Sequence, residues 1–185
     1  MNMMKTNLPE VFLFEPTVFE DRRGWVHESF RADVLQSHGI SAKFVQENFS
    51  CSKRGVLRGL HYQLKKPQAK ICQVLSGAVL DVAVDIRYGS PTFGQHVMVE
   101  LSADNHRQLY VPRGFAHGML ALEDDTRFIY KCDEYYRPDD SWGVAWNDPS
   151  LGIDWGIENP ILSDTDIGLP HLRDLQVDML PAYAG

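Results

Sequence analysis

Apolar and polar residues alternate with a period of two along much of the chain, most clearly in the segment Ala78–Arg87. One set of alternate positions is apolar and consists of Leu80, Val82, Val84 and Ile86. The other set contains Asp81, Asp85 and Arg87. Because successive side chains of a strand point to opposite faces of a sheet, this pattern predicts a strand with one buried and one solvated face.

Several other short segments have the apolar and β-branched content of strands. They are His96–Leu101, Arg107–Val111, His117–Leu122 and Arg127–Tyr136. Turn signals such as "SPTFG", "PRG" and "EDD" separate some of them. Many short strands at nearly regular spacing are typical of antiparallel sandwiches and barrels. The pattern therefore predicts an all-β protein with the jelly-roll architecture.

Helix signals are few. The segment "RADVLQSHG", Arg31–Gly39, predicts a short helix that ends at its glycine, and the proline-rich C-terminal tail predicts coil. The 185 residues suffice for one domain with its own core, so we expect a single domain over residues 1–185.

The charge and cysteine content exclude several classes of protein. A net charge of −7 argues against nucleic-acid binding through the phosphate backbone. The sequence contains no basic N-terminal region followed by an apolar run, and no apolar run long enough to span a membrane. Three cysteines without a CxxC pair argue against a disulfide framework and a cysteine-based zinc site. We therefore expect a cytoplasmic protein without a membrane or nucleic-acid partner, in which the cysteines are small buried residues.

The stretch "GVLRGLHYQLKKPQAK", Gly55–Lys70, places three basic or titratable side chains between apolar residues. Buried cations are costly unless they are paired, so Arg58, His61 and Lys70 together indicate a site for a ligand rather than core packing. Strict alternation puts Arg58 and His61 on opposite faces of a strand. A pocket shared by both therefore requires a bulge or bend at Gly59.

The stretch "YVPRGFAHG", Tyr110–Gly118, contains a PxGxxH pattern that resembles the second metal motif of cupins, a family of jelly-roll proteins. Metal-binding cupins supply a closely spaced histidine pair and a carboxylate from their first motif. The matching place here reads "GLHYQ" and has only His61. Because a transition-metal site needs three or four converging ligands, His61 and His117 alone predict a cupin without a metal.

Three further groups of residues each allow two interpretations. In "RFIYKCDEYYRP", Tyr130 and Tyr136 are either packing residues or residues that face the pocket, where a Tyr hydroxyl could donate a proton. In "LSDTD", Asp166 belongs either to a surface loop or to a turn whose carboxylate orients His61. The third group lies among aromatic residues near the N-terminus, on a solvated edge or in a binding site: Arg22, Arg23, Glu28, Gln46 and Asn48.

Seven motifs occur in the order found in dTDP-4-dehydrorhamnose 3,5-epimerases. They are "GVLRGLHYQ", "QAK", "DVAVDIRYGSPTFG", "VPRGFAHGML", "IYKCDEYY", "WNDPSLGIDW" and "LSDTD". The resemblance extends over roughly residues 14–170, and on these motifs the chain is identified as a member of that family. It implies a cupin-type jelly roll, or double-stranded β-helix, without metal or cofactor. It also implies a homodimer with strands exchanged between subunits.

The resemblance also implies roles for individual residues. His61 matches the general base, Asp166 the carboxylate that partners it, Lys70 the cation beside the keto oxygen of the sugar, and Tyr130 the acid on the opposite face. A second group matches positions that bind the nucleotide, its diphosphate or the sugar: Arg23, Glu28, Gln46, Asn48, Arg58, His117 and Tyr136. The implied substrate is dTDP-4-dehydro-6-deoxy-D-glucose, epimerised at C3 and C5 through an enolate.

Three positions depart from the family pattern. Thr165 stands where Lys or Arg is usual, Ser141 where Glu is usual, and Val26 with His27 where a pair of Phe is common. Two alternatives therefore stay open besides the 3,5-epimerase: an enzyme that epimerises a single carbon of a related nucleotide sugar, and a cupin that binds sugar without catalysis. A metal-dependent dioxygenase is disfavoured by the single histidine in "GLHYQ".

Overall fold

The computed structural model describes residues 1–184, and most of its regular structure is β-strand. The first seven strands are β1 (Asn2–Lys5), β2 (Phe12–Glu15), β3 (Val18–Asp21), β4 (Gly24–His27), β5 (Gln46–Ser52), β6 (Leu57–Gln63) and β7 (Lys70–Ser76). The next six are β8 (Ala78–Asp85), β9 (His96–Ser102), β10 (Gln108–Val111), β11 (Phe115–Ala121), β12 (Thr126–Cys132) and β13 (Ser141–Gly143).

The helices are short. Within residues 1–184, two are α-helical, α1 (Ala32–Ser37) and α2 (Asp164–Ile167), and three are 3₁₀ turns at Pro138–Asp140, Leu172–Asp174 and Val177–Met179. The predicted helix before Gly39 is confirmed as α1, and Gly39 adopts the left-handed conformation with φ +83° that often follows a helix.

None of the described helices combines the length and the apolar character needed to cross a bilayer.

Two antiparallel sheets face each other and enclose the main core. One has six strands in the order β1-β2-β10-β7-β12-β5, and the other has five in the order β13-β6-β11-β8-β9. Between them lies a continuous apolar cluster to which both sheets contribute, for example Val74 and Phe128 from the first and Val79 and Met119 from the second. The prediction of an all-β jelly roll is confirmed.

The prediction of one solvated face for the strand Ala78–Arg87 is wrong, because the faces of β8 are both buried. The apolar set, including Val82 and Val84, packs outward against the C-terminal segment through residues such as Trp155 and Leu172. The other set points between the two sheets, where Asp81 is completely buried. The alternation identified the two faces correctly, but the face with the aspartates is the interior of the jelly roll.

The strand predicted at Arg127–Tyr136 is also shorter than expected, since β12 ends at Cys132. Its neighbours β7 and β5 begin at the residues paired with Cys132, so the regular pairing ends there. The Asp133 N–H still donates to the Ala69 carbonyl at 3.2 Å, and farther along the chain side chains accept from the backbone. The Tyr136 N–H donates to Gln46 Oε1 at 2.8 Å and the Arg137 N–H donates to Gln63 Oε1 at 2.6 Å.

The bulge required at Gly59 is present. The pairing of β6 with β11 places His61 opposite His117 but Arg58 opposite Met119, so β6 contains one residue more than its partner. Gly59 has φ +122°, and a Cβ atom there would lie 2.5 Å from Gly118 Cα, so a side chain at this position would clash with β11. The extra residue turns Arg58 and His61 to the same side of the sheet.

Strands β3 and β4 form a separate two-stranded hairpin, which we call the arm (residues 18–27). Its large side chains are unusually exposed, with Phe19 at 66% and Trp25 at 57%. The cysteines are free, and the prediction that they are buried holds for Cys72 and Cys132. It is wrong for Cys51, which lies exposed on the edge strand β5.

Candidate active site

A cavity of about 510 Å³ opens at one end of the jelly roll, between the two sheets. Its walls contain nine of the eleven residues predicted to form the site: Gln46, Asn48, Arg58, His61, Lys70, His117, Tyr130, Tyr136 and Asp166. Strand β6 contributes Arg58 and His61 because of the bulge at Gly59. The side chains on its walls include a guanidinium, an ammonium group and two imidazoles, so the cavity suits an anionic ligand.

His61 and Asp166 form a close pair. The distance from His61 Nε2 to Asp166 Oδ1 is 2.5 Å. Asp166 lies in α2, whose N-terminal Ser163 accepts a hydrogen bond from the Asp166 N–H at 3.1 Å. Burial alone would raise the pKa of Asp166, but the hydrogen bond and the charge of His61 hold it below its usual value. An ionised Asp166 therefore accepts the proton on Nε2, which leaves Nδ1 of His61 as the basic nitrogen.

Lys70 and Tyr130 lie on neighbouring strands of the other wall. Lys70 begins β7 and Tyr130 lies on β12, and the Lys70 ammonium is 5.9 Å from the centre of the Tyr130 ring. Burial raises the pKa of the Tyr130 hydroxyl to about 12, so the hydroxyl carries its proton at neutral pH. One wall thus offers a base with its carboxylate, and the other a cation and a proton donor.

The mouth of the cavity carries polar groups held by hydrogen bonds. Gln46 Nε2 donates to Asn48 Oδ1 at 3.0 Å, and its Oε1 accepts the Tyr136 N–H. Arg58 Nε donates to Ser52 Oγ at 3.2 Å. Tyr136 is 53% exposed and lies on the loop after β12, not on the strand as predicted. Amide and guanidinium groups beside an exposed aromatic ring suit a nucleotide.

A second imidazole–carboxylate pair lies at the buried end. His117 Nε2 is 2.5 Å from Asp81 Oδ1 and 3.5 Å from Cys72 Sγ, and all three residues are buried. These three are also the described residues whose ligand atoms come close enough to one another to suggest a metal site. The fit is poor, because His117 Nε2 and Asp81 Oδ1 are only 2.5 Å apart, which is closer than two ligand atoms that each lie about 2.0–2.2 Å from one ion. The absence of a metal stays a prediction.

Two predicted binding residues lie outside the cavity. Arg23 and Glu28 are not among the described residues that line it. Arg23 is in the turn of the arm, paired with Asp21 at 2.5 Å, and its side chain is 83% exposed. Glu28 follows the arm directly and is half exposed. Within a single chain the structure therefore does not bring these two residues to the others.

Sequence analysis missed some residues of the site. Asp81 was assigned to a solvated face, and no signal in the alternating pattern could have shown that this face is buried. Gln63 was not singled out, yet its Nε2 donates to the carbonyls of Lys66 and Tyr135 and so joins the two loops at the mouth. Ser141 and Thr165, noted only as departures from a pattern, line the cavity with Ser163.

The chain is similar to known nucleotide-sugar epimerases. Residues 5–174 match the family model described as dTDP-4-dehydrorhamnose 3,5-epimerase. The enzyme of that name from Shigella flexneri is 50% identical over 169 residues, which are 90% of this chain and 93% of the relative. A crystal structure of dTDP-6-deoxy-D-glucose-3,5-epimerase from Legionella pneumophila in complex with dTDP-4-keto-L-rhamnose is 45% identical. The match covers 100% of this chain and 99% of the Legionella chain, with a TM-score of 0.96.

A further similar structure is that of ChmJ, a 3′-monoepimerase from Streptomyces bikiniensis, in complex with dTDP-quinovose. It is 37% identical to this chain and covers 98% of it and 93% of its own length, with a TM-score of 0.91. Relatives of this kind show that one fold serves epimerisation at one carbon or at two. The family match over most of the chain and the identities above 30% establish that this chain belongs to the dTDP-4-dehydrorhamnose 3,5-epimerase family.

Proposed function

We propose that this chain epimerises dTDP-4-dehydro-6-deoxy-D-glucose at C3 and C5 to dTDP-4-dehydro-L-rhamnose. The observation that carries the proposal is the arrangement of the cavity, in which the His61–Asp166 pair shares one space with Lys70 and Tyr130. Membership in the epimerase family supports it. The reaction needs a base, a cation and a proton donor around one ketone, and the cavity contains each of them.

The first step removes a proton from a carbon beside the C4 ketone. Nδ1 of His61 takes the proton, and the electron pair of the C–H bond forms the C–C double bond of an enolate while the carbonyl electrons move onto oxygen. Asp166 stabilises the imidazolium that results, since its carboxylate accepts the Nε2 proton. General-base catalysis of this kind contributes about 10²–10⁴ to the rate.

The second requirement is stabilisation of the negative oxygen. Lys70 supplies a positive charge that interacts more strongly with the enolate oxygen than with the neutral ketone, and only such differential binding lowers the barrier. Loss of one oxyanion partner typically reduces the rate by about 10²–10³.

The third step returns a proton to the opposite face of the same carbon. The Tyr130 hydroxyl donates it, the enolate electrons re-form the ketone, and the carbon is inverted. The tyrosinate then recovers a proton from water, and the His61 imidazolium releases to water the proton that it took from carbon. The same sequence at the second carbon completes the double epimerisation.

We also propose that the arm reaches a neighbouring subunit in a homodimer, where Arg23 and Glu28 complete the binding site for the nucleotide. Their position outside the cavity of their own chain supports this arrangement, as does the exposure of Phe19 and Trp25 on the arm. A solvated pair of large apolar side chains on a hairpin is typical of a surface that another chain covers. The proposed location is the cytoplasm, where nucleotide sugars are substrates.

A second candidate function is epimerisation of one carbon only. The similarity to a 3′-monoepimerase favours it, and so do Ser141 and Thr165, two small neutral side chains on the cavity wall. Which carbon is presented to His61 depends on how the sugar ring lies in the cavity, and small displacements of reacting atoms change rates strongly.

Incubation with the dTDP-linked 4-keto sugar in D₂O, followed by NMR, separates these functions. Deuterium at both C3 and C5 is the expected result, and deuterium at one carbon would assign a monoepimerase. Binding without exchange at either carbon would mean a non-catalytic sugar-binding protein. Stoichiometric iron by elemental analysis, together with oxygen consumption, would contradict the proposal in favour of a dioxygenase.

A further inference from the structure

The segment that follows the arm is fixed to the outer face of the six-stranded sheet. Gln108 on β10 is 2% exposed, and its Nε2 donates to the backbone carbonyl of Ser29 at 2.7 Å and to Gln73 Oε1 at 3.0 Å. Ser29 comes directly after Glu28 and two residues after the end of the arm. The buried amide therefore holds the chain at the root of the arm.

The surroundings of this amide are apolar. The same face of the sheet carries Phe14 and Ile71, which pack with Leu35 of α1. Gln108 lies opposite Phe14 on one neighbouring strand and opposite Gln73 on the other. A polar side chain in such a layer adds little net stability, because apolar groups of similar shape would pack there too. What it does supply is one defined position for the carbonyl it binds.

A second contact supports the arm from the side of its own subunit. The ring of Trp25 lies 4.4 Å from that of His106, and the ring of His27 lies 5.0 Å from that of His106. His106 belongs to the loop between β9 and β10 and has a positive φ of 55°. The arm thus packs on its own subunit through Trp25, next to the turn, and through His27 at its base, while Arg23 in the turn remains exposed.

We propose that Gln108 is a positioning residue for the active site of the neighbouring subunit. Through the Ser29 carbonyl it sets the direction in which the arm leaves its own jelly roll, and hence where Arg23 and Glu28 meet the nucleotide. This inference rests on the proposed function, in which the arms are exchanged between subunits. Gln108 itself touches neither the substrate nor the cavity, so it acts on substrate binding and not on the chemical step.

The first test compares the kinetics of Q108L with those of the wild type. Loss of the amide frees the Ser29 carbonyl, which is at the surface and can turn to water, so the arm samples other directions. We expect KM for the nucleotide sugar to rise about three- to tenfold, the range of a lost hydrogen bond, while kcat stays within twofold. Asn7→Leu is the control. It removes another amide-to-carbonyl hydrogen bond, from Asn7 Nδ2 to the His96 carbonyl, which is 2.9 Å long and lies away from the arm. It should leave KM unchanged.

The double variant Q73L/Q108L separates positioning from stability. It leaves no unpaired amide oxygen in the apolar layer, so its thermal unfolding midpoint should return toward that of the wild type. The rise in KM should persist, because the Ser29 carbonyl still has no donor. A double variant with wild-type stability and wild-type KM would overturn the proposal.

Hybrid dimers, with a different tag on each chain, decide whether Gln108 acts across the interface. In a hybrid of a Q108L chain and an H61A chain, the active cavity belongs to the Q108L chain and receives its arm from the H61A chain. We expect wild-type KM for this hybrid, in contrast to the raised KM of the Q108L homodimer. A raised KM would mean that Gln108 acts within its own jelly roll, which would overturn the inference.

A hybrid of an R23A chain with an H61A chain tests the proposed arm exchange by itself. Wild-type KM in this hybrid, beside a raised KM in the R23A homodimer, supports exchange. If the R23A hybrid keeps the raised KM, the arm serves its own chain and the proposed exchange is wrong. If the R23A hybrid has the wild-type KM but the Q108L hybrid has a raised KM, the role of Gln108 is rejected while the arm exchange is supported.

Discussion

The cavity wall and the arm differ in how their functional side chains are held. In the cavity, His61 is bound to a carboxylate that is 4% exposed, and Lys70 and Tyr130 rise from adjacent strands at the centre of a sheet. On the arm, Arg23 is bound to an aspartate in the same turn, and both are largely solvated. The groups proposed to move protons thus lie on strands of the two main sheets and on α2, and the guanidinium proposed to bind phosphate lies on a hairpin outside these sheets.

The difference reflects what each task tolerates. Proton transfer requires reacting atoms to be placed within a fraction of an ångström, which only close packing on several sides can provide. A guanidinium that meets a diphosphate tolerates more movement, because the attraction is strong over several ångströms and solvent is near. We therefore expect variants of the wall to reduce kcat and variants of the arm to raise KM.

Substitution of His61 should have the largest effect on the wall. His61→Ala removes the proposed base, so isotope exchange at both carbons should fall by about 10²–10⁴, measured by NMR in D₂O. His96→Gln is a suitable control, since His96 lies on the edge strand β9 outside the cavity, and it should exchange at the wild-type rate. Exchange that persists in His61→Ala would assign the base to another group.

Tyr130→Phe should separate the two faces of the reaction. It leaves His61 able to remove and return a proton on one face, but takes away the donor on the other. We expect net epimerisation to fall about 10²-fold and isotope exchange to fall less. Both rates come from one NMR experiment. An equal loss of the two would count against Tyr130 as the acid on the far face.

Arg23→Ala tests the arm. Loss of a charge-assisted hydrogen bond to a phosphate should raise KM about 10- to 100-fold with little change in kcat. Steady-state kinetics at constant ionic strength measures both. Arg22→Ala, which alters the neighbouring charge in the same turn, is the control for a general electrostatic effect. A fall in kcat with unchanged KM would mean that Arg23 acts in the chemical step, and would contradict the difference proposed between the cavity wall and the arm.

The smallest effect concerns stability and pH. The pKa of Asp166 is lower in the folded than in the unfolded chain, so its interaction with His61 stabilises the fold above pH about 4 and is lost as the pH falls through the folded pKa. Asp166→Asn lacks this contribution. The difference in urea midpoint between wild type and variant should therefore shrink between pH 6 and pH 3. A difference that grows on acidification would contradict the sign of the shift.

Several features of the site could be predicted from the sequence, and others could not. The basic and titratable side chains between Arg58 and Lys70 indicated a ligand site, and the bulge at Gly59 followed from the need to bring Arg58 and His61 together. Asp81 could not be assigned, because a period of two distinguishes the two faces of a strand but does not tell which face meets solvent. Only the packing of the C-terminal segment over β8 decides that.

The same limit applies at longer range. Asp166 is 105 residues from His61 in the chain, and Gln108 is 79 residues from Ser29, so no local pattern links either pair. The amino-acid sequence is enough to place most strands and turns, the family motifs and the types of side chain available for chemistry, because these depend on neighbouring residues. It does not show which distant groups meet or which faces are buried, because those depend on how the whole chain closes on itself. The tertiary structure also left Arg23 and Glu28 outside the cavity of their own chain.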